Sequence, residues 1–133
     1  MSFLLDTNTC SAYLKNRRGL THRFVQHSGR LHLASIILGE LYTWAYRRPD
    51  PAPTLKAIAD ELLPHVTELV FDGRCAHEFG RVHATLLNSG HPVDAVDMQI
   101  AATALVHNLT LVTHNTKDFQ HIPGLRLDDW LTP

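Results

Sequence analysis

Short β-rich apolar runs alternate with longer helical stretches along this chain, and that alternation limits the fold more than any other feature. The runs are Phe3 to Leu5, Leu31 to Ala34, Thr67 to Phe71, Leu109 to Thr113 and a weaker one at Leu125 to Leu127. Helical patterns fill the gaps, at Thr9 to Lys15, Thr21 to His27, Ile36 to Arg48, Thr54 to Leu63, Arg74 to Leu87 and Asp94 to Val106. Strands separated by helices predict an α/β domain on a mainly parallel sheet, because parallel neighbours need a long crossover rather than a tight turn. Punctuation agrees: Pro49, Pro51 and Pro53 lie between one helix and the next, and Ser89-Gly90-His91-Pro92 closes another before Asp94 opens its successor. A length of 133 residues, 44% of them apolar, suits one core, so residues 1–133 are expected to form a single domain.

In open parallel sheets ligands bind beyond the carboxyl ends of the strands, which directs attention to Asp6, to the region near Ser35 and to the segment after Thr113. Several chemistries lack their residues. No two of the seven glycines fall within two positions of each other, so a G-x-G-x-x-G turn is impossible, and the P-loop and G-x-S-x-G patterns are missing. His77-Glu78 followed by His83 misses the i, i+4 spacing of a zinc-protease helix. The ten histidines are scattered and read as ordinary surface and partly buried residues, with His114 set apart because it follows a strand end.

Two cysteines outside any C-x-x-C pair argue against a disulfide framework and for a reducing, cytoplasmic setting. The start Met-Ser-Phe-Leu-Leu-Asp has no basic region or long apolar stretch, so a signal peptide is not expected, and no segment approaches the ~20 apolar residues of a membrane helix. Twelve Lys+Arg against thirteen Asp+Glu leave a formal charge of -1, so any nucleic-acid binding must come from local patches.

Four acids stand out by position. Asp6 directly follows the first strand, where a helix N-cap is the competing role. Glu40 sits in the apolar stretch Ser35-Ile36-Ile37-Leu38-Gly39-Glu40-Leu41, which predicts a place near the core boundary rather than on a plainly solvated face. Asp97 lies near the start of a helix that is apolar at almost every other position, with Asp94 expected at its N-cap and Asp97 at the third helical position; both acids suit the positive end of the helix dipole. Asp118 follows the fourth strand in a turn. Carboxylates gathered in one cleft repel one another and stay ionised only with a cation among them, and Mg²⁺ or Mn²⁺ suits oxygen ligands best.

At these residues the chain resembles the PIN-domain ribonucleases, in particular the VapC toxins of type II toxin–antitoxin (VapBC) pairs. The resemblance runs in order through Leu4-Leu5-Asp6-Thr7-Asn8, Ser35 to Leu41 with Glu40, Gly90 through Asp97 to Ala102, Leu109 to Thr113 with Asn115 and Asp118-Phe119, and Pro123-Gly124-Leu125 to Trp130. It implies a three-layer α/β/α domain, metal-dependent cleavage of RNA, and a homodimer held in a hetero-oligomer with a small VapB-type antitoxin. Asp6, Glu40 and Asp97 match the first three acids of the family. For the fourth, some relatives carry an acid nearer Thr113, where this chain has Asn115, whereas those with a longer Thr-x-Asn turn carry it just before Phe119, at Asp118. Asp94 falls where the family is often not acidic and takes no catalytic role.

The resemblance thus implies an Mg²⁺ site at Asp6 and Asp97, Mn²⁺ being able to substitute, with Glu40 and Asp118 completing an acidic pocket and Thr7, Asn8, Thr113 and Asn115 in support. Arg17-Arg18 and Arg47-Arg48, after the first and third helices, are the expected contacts to the RNA backbone. Transfer RNA, initiator transfer RNA included, is the substrate expected from the family. A PIN-like module that binds RNA or protein without cutting is the alternative, which the matched acids argue against.

Overall fold

The computed structural model describes residues 1–16 and 19–132. Five strands, β1 (Phe3–Leu5), β2 (Leu31–Ala34), β3 (Thr67–Leu69), β4 (Thr110–Val112) and β5 (Leu127–Asp128), form one sheet in the order β3-β2-β1-β4-β5. Every pairing is parallel. Helices α1 (Thr7–Leu14), α2 (Leu20–Gln26), α3 (Ser35–Tyr46), α4 (Ala52–Ala57), α5 (Gly73–Asn88) and α6 (Ala95–Val106) make up the outer layers of an α/β/α arrangement. Strand β1 lies at the centre, flanked by β2 with Phe3 opposite Leu31 and by β4 with Leu4 opposite Leu111. Leu4, Leu5, Leu33, Leu111 and Val112 are wholly buried, as expected of parallel strands covered on both faces.

Helix α6 is apolar on nearly every side and correspondingly central. Met98, Ile100, Ala101, Ala102 and Ala104 are buried, and buried Thr103 satisfies its hydroxyl by donating to the Gln99 carbonyl at 2.9 Å. Helix α5, against which it packs, is one-sided, burying Cys75, Val82 and Leu86.

Several boundaries differ from the sequence expectation, each for a tertiary reason. Strand β3 stops at Leu69, two residues before Phe71, because its sole neighbour β2 turns into α3 at Ser35; Val70 and Phe71 are left without a ladder and exposed. The helix expected at 54–63 begins at Ala52, since proline is tolerated in a first turn, and loses α geometry after Ala57. It continues as a π-turn over Ile58–Leu62 and a short 3-10 turn over Leu63–His65, where Pro64 has no N–H for the ladder. The last strand is Leu127–Asp128 rather than 125–127, its register set by Leu127 lying opposite Leu111.

Candidate active site

From β1 the chain adds β2 and β3 on one side, then returns to place β4 on the other side of β1. Such a reversal opens a crevice at the carboxyl ends of the two adjoining strands. Asp6 leaves β1 and Thr113 leaves β4, so both stand at that crevice. The Asp6 backbone N–H donates to the Val112 carbonyl at 3.1 Å, and the buried Thr9 hydroxyl reaches the same carbonyl at 3.4 Å. The first turn of α1 is thereby tied to the end of β4.

Asp6 does cap α1: its Oδ1 accepts from the Thr9 N–H at 2.8 Å. The residue is 7% exposed, yet its Oδ2 is not a buried orphan and accepts from no donor among the described residues. One carboxylate oxygen thus builds the helix and the other faces open space. Behind it, burial pushes the Cys10 thiol far up, and the Asp6 charge adds to the effect, so that thiol stays protonated and inert.

Asp6, Thr7, Asn8, Glu40, Asp97, Thr113 and Asn115 line one cavity of about 200 Å³, floored by Ile37, Ile100 and Phe119. Glu40 enters it from α3 and is fixed by the Thr7 hydroxyl, which donates to Oε1 at 2.7 Å. The expectation of a core-boundary position for Glu40 is corrected here. Its side chain is exposed, because α3 turns Ile37, Leu41 and Ala45 into the core and leaves Glu40 over the crevice.

Asp94 caps α6, accepting from the Val96 N–H at 3.1 Å, and Asp97 occupies the third helical position, half-buried at the cavity wall. Asp118 ends a 3-10 turn, Thr116–Asp118, anchored by buried Phe119; it borders a neighbouring cavity that shares Asp97. Burial pushes the Asp97 carboxyl up to about 6, with the charges of Asp94, Asp118, Glu40 and Asp6 adding to it in that order. Five acids from four segments therefore act on one another across a single crevice.

This donor set suits a hard divalent cation. All its ligands are oxygens, one carboxylate oxygen is free, and burial together with the neighbouring acids raises the Asp97 pKa, a cost that a cation among them would relieve. Among the described residues no three His, Cys, Asp or Glu side chains stand close enough to grip an ion outright. A divalent cation held here would keep waters between itself and some of the carboxylates.

The remaining expected residues divide. Thr113 is buried and accepts from the Asn115 N–H at 3.0 Å, bringing Asn115 to the cavity, while Asn8 is exposed at its rim. Arg47 and Arg48 border a larger cavity with Trp44, Thr43 and Pro49 that meets the acids at Thr7 and Glu40. Arg17 and Arg18 lie outside the described residues. His114 turns away to pair with Asp129, Nδ1 to Oδ2 at 3.1 Å, so its position after a strand end does not bring it to the acids. Sequence reading missed Lys117, His91 and His121, which adjoin Asp97 and Asp118; the two histidines are far apart in sequence, and no local spacing links them.

Comparison with known proteins identifies the family to which this fold belongs. The PIN domain profile matches residues 3–125. The tRNA(fMet)-specific endonuclease VapC of Salmonella typhimurium is 34% identical over 131 residues, covering 98% of both chains. Ribonuclease VapC2 of Haemophilus influenzae is 30% identical over 132 residues, covering 98% of this chain and 99% of its own. Among solved structures, DNA-bound VapBC from Salmonella typhimurium superposes with a TM-score of 0.89 at 34% identity, over 98% of each chain. VapBC2 from Rickettsia felis, bound to a DNA fragment from its promoter, gives the same TM-score at 26% identity, over 98% of this chain and 99% of that one. Nearly full-length similarity in both sequence and fold makes this chain a member of the PIN-domain family, within its VapC group.

Proposed function

We propose that this chain, as a single PIN domain over residues 1–133, is an Mg²⁺-dependent endoribonuclease that hydrolyses RNA phosphodiester bonds as the toxin of a toxin–antitoxin pair. The convergence of Asp6, Glu40, Asp97 and Asp118 on the crevice between β1 and β4 carries the reading. Asp6 and Asp97 would hold the ion, directly or through its waters, and Mn²⁺ would substitute for Mg²⁺. Held there, the ion would supply neutralisation of phosphate charge in the transition state and a lowered pKa for the attacking water.

The chain's own groups do the rest. Glu40, steadied by the Thr7 hydroxyl, and Asp118 orient the water, which passes its proton to Glu40 as its oxygen bonds to phosphorus, while the departing ribose oxygen takes a proton from solvent. Asn8 and Asn115 supply hydrogen bonds to the phosphate, and buried Thr113 positions Asn115 by accepting from its N–H. Arg47 and Arg48, with Arg17 and Arg18, draw in the RNA backbone against the repulsion of the acids.

Transfer RNA, and initiator transfer RNA first, is the proposed substrate, supported by the name of the Salmonella relative. Cutting it stops translation in the cytoplasm until a small VapB-type antitoxin binds the toxin homodimer, as the solved VapBC complexes of relatives suggest. Antitoxin-free protein is expected to convert a total transfer-RNA pool into discrete fragments with Mg²⁺ or Mn²⁺. EDTA or Asp6→Asn, which keeps the helix cap, should abolish the fragments. Fragments that persist with EDTA and in the variant would overturn the assignment.

A further inference from the structure

We propose that the cavity walled by His91, His121 and Lys117 is a subsite for an unpaired nucleotide flanking the scissile phosphate, its base on the imidazole pair and its phosphate on Lys117; this rests on the nuclease reading above. The cavity, about 420 Å³, also holds Asp94, Asp97 and Asp118, and it shares Asp97 with the acid cavity. An occupant therefore lies against the reacting centre, within the range of roughly 300–1,000 Å³ typical of ligand sites.

The two rings stack with centroids 4.0 Å apart and planes 21° from parallel. They come from separate turns, each held by backbone hydrogen bonds. At the end of α5, His91 N–H donates to the Leu86 carbonyl at 2.9 Å and Gly90 N–H to Leu87 at 3.2 Å, a Schellman closure with Gly90 at φ +77°. His121 follows the 3-10 turn that buried Phe119 anchors, where Ile122 N–H returns to the Phe119 carbonyl at 3.1 Å. Both histidines are exposed, and among the described residues neither ring makes a hydrogen bond or an ion pair. Core packing does not explain them.

Lys117 is likewise exposed and unpaired among the described residues although acids surround it. Flat rings beside one cation suit a nucleotide. Aromatic side chains, histidine included, stack on unpaired bases, and a lysine meets the phosphate as a point charge. The cavity of Trp44, Arg47 and Arg48 adjoins the acid cavity at Thr7 and Glu40, whereas the histidine cavity adjoins it at Asp97. A single strand crossing the crevice would thus be held on both sides of the cut.

The test uses the full chain carrying Asp6→Asn, in Mg²⁺, with fluorescent single-stranded oligoribonucleotides followed by anisotropy. Adding His91→Ala with His121→Ala is expected to weaken binding on the order of ten-fold at unchanged salt dependence. Adding Lys117→Ala should instead flatten the slope of log affinity against log salt by about 0.7. His91→Phe with His121→Phe keeps the flat faces and should bind like its parent. In the otherwise wild-type chain, the alanine pair should raise KM or shift the cut site in the transfer-RNA pool more than it lowers kcat. Parent-level binding by the alanine pair overturns the subsite while wild-type cleavage leaves the nuclease standing, and equal losses in the alanine and phenylalanine pairs overturn the stacking role. An Asp6→Asn chain that binds no RNA, with a wild-type chain that cuts none, overturns both readings.

Discussion

Asp97 shows how one residue acquires a property that its neighbours in sequence do not give it. Its pKa of about 6 arises from burial and from four other acids, three of which belong to distant segments. In the unfolded chain an aspartate titrates near 4, so folding favours the protonated form between those values. That contribution is present in full below about pH 4 and is lost as pH rises through 6. Asp97→Asn, which carries no charge to crowd, is therefore expected to melt above the wild-type chain at pH 7.5 in EDTA, the gap closing by pH 4. Mg²⁺ should raise the wild-type Tm at pH 7.5 more than that of the variant. A variant that melts lower than wild type at pH 7.5 would show that the acids are not crowded as described.

At the scale of the element, α1 and α3 meet through the Thr7–Glu40 hydrogen bond, and α1 begins on a residue with two duties. The duties separate experimentally. Asp6→Asn and Asp6→Ala both remove the charge, but only asparagine retains the cap to Thr9. Alanine is expected to be less stable than asparagine by about 1 kcal/mol in chemical denaturation, with both inactive in cleavage. Thr7→Val should leave the melting temperature near wild type, because the bond is exposed, and lower the cleavage rate several-fold by freeing Glu40 from its orientation. A Thr7→Val chain with wild-type kcat would remove Glu40 orientation from the mechanism.

For the whole molecule, the central place of β1 makes stability and site geometry share a core. Leu4 is wholly buried between β2 and β4, so Leu4→Ala is expected to cost about 3 kcal/mol by denaturant titration. Below its melting temperature, the folded fraction of that variant should still cut RNA. The helix and strand order was legible in the sequence because periodicity and turn residues act locally, and Asp94 as a cap with Asp97 at the third helical position was read correctly. The ends of β3 and β5 were not, because a strand stops where its neighbour leaves, and the neighbour's course is not written in the strand itself. Glu40 was misplaced for a related reason: an apolar stretch shows that a helix is buried but not which side opens on a crevice. The His91–His121 stack left no sequence signal, since it joins two turns on either side of α6 and β4.

The sequence by itself determined the α/β class, the order of the elements and which acids were worth following, because those follow from residue chemistry and short-range spacing. Only the tertiary structure decided that Asp6, Glu40 and Asp97 line one cavity, that Asp118 borders a neighbouring one sharing Asp97, and what stands beside them. That depends on the chain returning after β3 to lay β4 against β1, a long-range choice made by burial of the whole sheet rather than by any residue at the site.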